Sequence, residues 1–290
     1  AASATAVLGD GKNTVTANAL TDGDLVVIGG SGVDTVSATA ITDANVTLQL
    51  GDGNNVVTLG TASNTVLSAA TINIVTGAGN DKVSLLEATT ADTTVNLTLG
   101  GGTNTLALAA AADYKAGTWT TSGLNAIEIA GGATTTTVAA SLVSGQTIAV
   151  SSASVDANNV FAVAGTKATG ETIDLSTLVI NQTIAKYVAK VSINGNAGND
   201  TIIGSTTGGA VGDDLDTMAT LDIVNGGAGV DTLKVATDGT AVSLANMTAV
   251  EIVEIESAGA VNTDVSANAD VTNLNVTKAA GAVTVTASAT

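Results

Sequence analysis

The chain has 290 residues, enough for a large core, yet only 1% are aromatic, so that core must come from small and β-branched side chains, which favour strands. Its 26 acidic residues against eight Lys give a net charge of −18, with no Arg, His or Cys. That balance excludes nucleic-acid binding by phosphate neutralisation, disulfides, and thiolate or imidazole metal sites; hard oxygen ligands for a divalent cation, calcium above all, remain.

From the N-terminus to residue 112 the sequence alternates two kinds of punctuation. One is a Gly-x-Gly-x-Asp/Asn phrase: Gly9-Asp10-Gly11-Lys12-Asn13, Gly30-Ser31-Gly32-Val33-Asp34, Gly51-Asp52-Gly53-Asn54-Asn55, Gly77-Ala78-Gly79-Asn80-Asp81 and Gly100-Gly101-Gly102-Thr103-Asn104. The other is a smaller polar turn, as at Thr21-Asp22-Gly23-Asp24 and Thr42-Asp43-Ala44-Asn45. Between them lie short runs such as Leu25-Val26-Val27-Ile28 and Val46-Thr47-Leu48-Gln49-Leu50, whose alternating or β-branched character reads as strand. The period of a little over twenty residues, with two strands and two turns, describes one coil of a solenoid. Coils stacked at about 4.8 Å would place each Gly turn over its equivalent and pair the strands in parallel.

Residues 113–190 break the rhythm and hold all four aromatics, Tyr114, Trp119, Phe161 and Tyr187, expected to form a small core of their own in an irregular β-rich segment. The Ala-rich stretch from Leu106 to Ala112 is a candidate helix. Gly phrases return at Asn196-Ala197-Gly198-Asn199-Asp200 and Gly227-Ala228-Gly229-Val230-Asp231, so 191–290 reads as a second β-solenoid. The expected fold is therefore all-β: parallel β-helix or β-roll blocks at 1–112 and 191–290 with an interrupting segment. No apolar run approaches the roughly 18 residues of a membrane span, so no transmembrane segment is expected, and the first residues do not resemble a signal peptide. Because the chain does not begin with Met, a targeting or anchoring segment is expected to lie outside it.

The chemistry concentrates in the Gly phrases. Calcium takes six to eight oxygens, mixing carboxylates and carbonyls, and a Gly-rich turn can present its carbonyls. Asp34, Asp81, Asp200 and Asp231, each placed just before a strand, are the leading candidate ligands. Asp10 and Asp52 inside their turns are further candidates, as is the cluster Asp213, Asp214 and Asp216, which reads equally as a solvated acidic loop. Asn13, Asn55 and Asn104 can donate a neutral oxygen or simply close their turns.

Gly226-Gly227-Ala228-Gly229-Val230-Asp231-Thr232-Leu233-Lys234 and Gly29-Gly30-Ser31-Gly32-Val33-Asp34-Thr35-Val36-Ser37 match in full the nonapeptide of bacterial repeats-in-toxin proteins. The chain is similar to that family, and the Gly226–Leu233 turn followed by the Val250–Ile255 strand resembles surface-layer proteins of Caulobacter and Campylobacter type. The resemblance implies calcium-bound parallel β-rolls with Asp34 and Asp231 as ligands, type I export, a bacterial cell-surface location and assembly with copies of itself into a two-dimensional lattice, with cell-surface polysaccharide as a further partner through a missing anchor. An extracellular adhesin or matrix protein of the same family is the alternative. No catalysis is expected, because His and Arg are absent and no pair among the many acids is singled out.

Overall fold

In the computed structural model, residues 3–18, 20–39, 41–61, 66–67, 71–154, 158–180, 188–205, 223–239, 242–244 and 246–287 are described. They form two compact units, Ala1–Ala130 and Gly131–Thr290, and each is a parallel β-solenoid. Every strand pairing among the described residues is parallel within these units, as the stacked-coil reading requires.

In the first unit, strands Ala4–Val7, Leu25–Ile28, Val46–Gln49, Thr71–Val75, Thr94–Thr98 and Thr118–Ser122 lie side by side in chain order in one sheet. A second sheet holds Asn13–Ala17, Asp34–Ala38, Val56–Leu59, Lys82–Leu85, Thr105–Leu108 and Ala126–Ile129. The Gly phrases connect the first sheet to the second. A third side is added by two-residue strands, Leu20–Thr21 beside Ile41–Thr42 and Val66–Leu67 beside Ala88–Thr89. Two strands per coil thus become three, because runs this short read as turn in the sequence.

Register puts like on like in the core. Leu25, Val46, Ile72, Val95 and Trp119 are successive partners, as are Val36, Val57, Val83, Leu106 and Ile127 across the coil. All are buried, and each aliphatic side chain contributes roughly 1.5–3 kcal/mol by leaving water. Leu106 and Leu108 stand in this stack, so the stretch expected as a helix begins as the strand Thr105–Leu108.

The second unit repeats the plan. One sheet runs Thr135–Ala139, Val160–Ala164, Lys190–Asn194, Ile223–Asn225, Met247–Thr248, and another runs Thr172–Asp174, Thr201–Ser205, Thr232–Thr237, Ile252–Ser257, Asn273–Ala279. Val242–Ser243, Val261–Asp264 and Val283–Thr286 make a third side. The one helix among the described residues is Ala140–Val143, and none is long and apolar enough to cross a membrane.

Residues 113–190 supply strands to both units, and their described aromatics are divided between the two. Tyr114 and Trp119 meet edge to face at 6.3 Å in the first unit, with the Trp119 Nε1 donating to the Tyr114 carbonyl and the Tyr114 hydroxyl donating to the Leu85 carbonyl. Phe161 is buried in the second unit, and Tyr187 lies outside the described residues.

Tight stacking makes some glycines irreplaceable. Gly53 has φ of 120°, and a Cβ there would run into the Gly32 carbonyl oxygen one coil away; at Gly9 nothing lies within 4 Å. Gly53→Ala is expected to destabilise the first unit by more than about 2 kcal/mol, combining left-handed strain with the clash. Gly9→Ala should stay within about 0.5 kcal/mol, as for a surface change. Denaturant unfolding of the two variants checks the difference.

Candidate functional site

The last residue of each Gly phrase stands at the threshold of a strand, one coil above its equivalent. In the first unit this column reads Asn13, Asp34, Asn55, Asp81, Asn104 and then Asn125, which has no Gly phrase before it. The Asp34 N–H donates to Asn55 Oδ1 (2.9 Å), the Asn55 N–H to Asp81 Oδ1 (2.8 Å), the Asp81 N–H to Asn104 Oδ1 (3.0 Å) and the Asn104 N–H to Asn125 Oδ1 (2.8 Å). From Asp34 to Asn104 a side-chain ladder therefore satisfies the backbone as it enters each strand and demands an acceptor oxygen at each of these steps, while at the first step the Asn13 N–H donates to the Val33 carbonyl and Asn13 Nδ2 donates to Asp34 Oδ1 (2.9 Å).

Asn supplies that oxygen and then closes its own turn. Asn55 Nδ2 donates to the Gly51 and Gly53 carbonyls (both 3.1 Å), and Asn104 Nδ2 donates to the Gly100 and Gly123 carbonyls (both 2.9 Å). Asp supplies the same acceptor but has no N–H₂ to give. Asp34, Asp81, Asp200 and Asp231 are 2% exposed or less, and in each the Oδ2 has no hydrogen-bond partner. A buried polar atom left so costs about 1–3 kcal/mol, and more when charged, unless something else satisfies it.

The second unit builds its column differently. The Glu171 N–H donates to Asp200 Oδ1, the Asp200 N–H to Asp231 Oδ1 and the Asp231 N–H to Glu251 Oε2, all at 2.7 Å. Four acids occupy four successive steps with no amide between them. Burial pushes the carboxyls of Asp200 and Asp231 above the ordinary carboxylate range; the N–H bonds they accept oppose the shift, and the neighbouring carboxylates reinforce it.

The residue five places before the column decides what lies beside the carboxylate. It is Leu8, Leu50 or Leu99 before the Asn of a Gly phrase, Thr120 before Asn125, Gly29, Gly195 or Gly226 before an Asp, and Thr76 before Asp81. A Cβ at Gly195 would meet Asp200 Oδ2 together with the Gly226 carbonyl of the next coil; at Gly226 it would meet Asp231 Oδ2 and the Ala249 carbonyl, and at Gly29 Asp34 Oδ2 and the Leu50 carbonyl. Glycine thus keeps open a gap where a carboxylate oxygen and a carbonyl oxygen face each other. Those donors fit a hard cation in type. Among the described residues no three acids converge, so any ion here would draw its remaining oxygens from the backbone.

Other candidates fall elsewhere. Asp10 and Asp52 are exposed, and their Oδ1 atoms accept the Ser31 and Ala78 N–H groups of the next coil (both 2.8 Å), forming an outer ladder; the Ser31 bond holds the Asp10 carboxyl below its usual range. Asp213, Asp214 and Asp216 lie outside the described residues. The turns at Asp22 and Asp43 are turns, with φ of 53° and 51°. Glu171, Glu251 and Asn125 have no Gly-x-Gly before them at the required spacing; their sequence signal is a polar residue immediately before a strand.

A shallow groove of about 260 Å³ marks the outer face of the second unit, over Ile203, Val235, Ala236 and Thr277 and between the ion pairs Lys234–Glu254 (3.0 Å) and Lys278–Glu256 (2.8 Å). The chain matches no family model, and no curated protein or solved structure is significantly similar to it.

A raised carboxyl pKa means that the folded second unit holds protons more tightly than the unfolded chain. In chelator, the stability this contributes is fully present below the unfolded Asp value of about 3.9 and is lost as pH rises through the raised folded values. Hydrogen exchange across Thr201–Ser205 and Thr232–Thr237, corrected for intrinsic rates, should therefore show protection falling with rising pH.

Proposed function

We propose that the chain is a non-catalytic structural protein of a bacterial surface layer, a β-solenoid that takes calcium at its Gly/Asp turns and assembles with copies of itself into a two-dimensional lattice outside the cell. The observation that carries this reading is the recurrence, at one place in the coil, of four buried Asp carboxylates whose second oxygen no protein group satisfies. Asp34, Asp81, Asp200 and Asp231 would hold the ion, with backbone carbonyls completing an all-oxygen shell. Calcium bound there supplies positive charge where the fold has buried negative charge.

A structural role is supported by the repetition itself, since each coil contacts its neighbours and offers long side faces rather than a single cleft. The composition points the same way, because His, Arg and Cys are absent. Copies carrying −18 each repel one another, and divalent ions at their contacts would offset that repulsion. Type I export, surface location and attachment to polysaccharide through an anchor outside these residues belong to the same reading and rest on the two full nonapeptides. The second reading is an extracellular adhesin or matrix protein, for which the shallow groove lined by Lys234, Glu254 and Glu256 would be the ligand surface.

Calcium titration after chelation, followed by circular dichroism and electron microscopy in parallel, tests the proposal. Folding and ordered sheets are expected to appear together as calcium rises. Indifference of both to calcium would sink the mechanism, and a calcium-folded monomer that binds glycans would favour the adhesin. Asp231→Asn keeps the ladder acceptor but removes the charge, and it should raise the calcium midpoint several-fold; an unchanged midpoint would assign Asp231 to turn geometry alone.

A further inference from the structure

The two units treat the same column position in opposite ways. In the first, Asp34 and Asp81 are each flanked by Asn, so carboxylates never occupy adjacent coils, and Leu50 fills the place that glycine leaves open before an Asp. In the second, Asp200, Asp231 and Glu251 follow one another directly, joined by 2.7 Å bonds from backbone to carboxylate, and the Glu171 N–H donates to the first of them while the Glu171 Oε1 accepts the Thr166 and Lys167 N–H groups of its own turn. Gly195 and Gly226 keep the space beside Asp200 and Asp231 open.

Asp200 and Asp231 supply the independent sign of a missing partner. They are 1% and 0% exposed, and neither Oδ2 has a hydrogen bond. Among the described residues no ion pair joins a Lys to the column: Lys234 pairs with Glu254 on the outer face of the sheet, and Lys278 pairs with Glu256 there. Stacked carboxylates at coil spacing can each face the ion on either side, so adjacent sites share ligands and fill together. Isolated carboxylates between amides cannot.

We propose that Asp200, Asp231 and Glu251 form a continuous divalent-cation column, with carboxylates shared between successive coils, on which the order of residues 131–290 depends, while residues 1–130 keep their fold without the ion. Glu251, which no Gly phrase marks, is a ligand of this column. The inference rests on the calcium reading above and confines the dependence of folding on the ion to one unit.

The test is hydrogen exchange on the full chain with calcium ion as the probe, before and after chelation. From calcium at 100 times its dissociation constant, removal should cost Thr201–Ser205, Thr232–Thr237 and Ile252–Ser257 about 100-fold in protection, with Lys82–Leu85 and Thr105–Leu108 changing less than about twofold. Asp200→Asn with Asp231→Asn keeps both ladder acceptors, as the adjacent Asn104 and Asn125 do, and should leave the second unit folded and insensitive to chelator. Glu251→Gln should raise the calcium midpoint of the second unit at least about threefold. Equal loss in both units, loss confined to the first, or no effect of Glu251→Gln overturns this proposal and leaves calcium binding standing. No response in either unit sinks the calcium reading itself. Should the double variant fail to fold, the wild-type comparison between units still decides.

Discussion

Coil-over-coil stacking in parallel register is the constraint from which the rest follows, because it makes each side chain's nearest neighbour its own equivalent about 4.8 Å away. The consequence depends on chemistry. Leu on Ile on Val is favourable, and the core columns from Leu25 to Trp119 and from Val36 to Ile127 are built this way. Asn on Asn is favourable too, since an amide both donates and accepts, and Asn96 Nδ2 donates to Asn73 Oδ1 at 2.7 Å on the outer face of the first unit. Asp on Asp is not. Two unit charges at coil spacing repel by about 3 kcal/mol even at an effective dielectric constant of about 20.

The Gly turns show how the chain manages that conflict. Backbone entry into each strand requires an acceptor from the next coil, which either Asn or Asp provides, so the ladder alone does not explain the choice between them. The companion position does. Leucine before Asn fills the space beside the amide and adds to the core, whereas glycine before Asp leaves the spare oxygen facing a carbonyl. Glycine there contributes no packing and costs conformational entropy, and at 29, 195 and 226 it is kept because a Cβ would meet both the Asp carboxylate and the carbonyl of the next coil.

Much of this was legible in the sequence. The period was, because Gly phrases recur at the coil length and the intervening runs are β-branched. Asp34, Asp81, Asp200 and Asp231 were, because a carboxylate directly ahead of a strand stands out against the amides at Asn13, Asn55 and Asn104. The third side of the coil was hidden, since Leu20–Thr21 and Val66–Leu67 are too short to show an alternation. Glu251 was hidden for another reason: the ladder accepts any side chain with an oxygen at strand entry, and only register shows that Glu251 continues the column. The aromatic residues misled by proximity in sequence, since Tyr114 and Trp119 pack in one unit and Phe161 in the other.

Which negative charges matter can be settled by where solvent reaches. The acids on the turn rims, such as Asp10, Asp22, Asp43 and Asp52, are exposed, and at physiological ionic strength a Debye length of about 8 Å screens them from one another beyond their nearest neighbours. They contribute most of the repulsion felt at a distance and little to the cost of folding. Asp200 and Asp231 are the reverse: few in number, but cut off from water and from mobile salt, with a like charge one coil away on either side. Monovalent ions in solution relieve the first group and cannot reach the second. A proton relieves the second group, since burial and the neighbouring charges raise both carboxyls, so these few buried carboxylates, rather than the net charge of −18, are where the second unit's stability responds to pH.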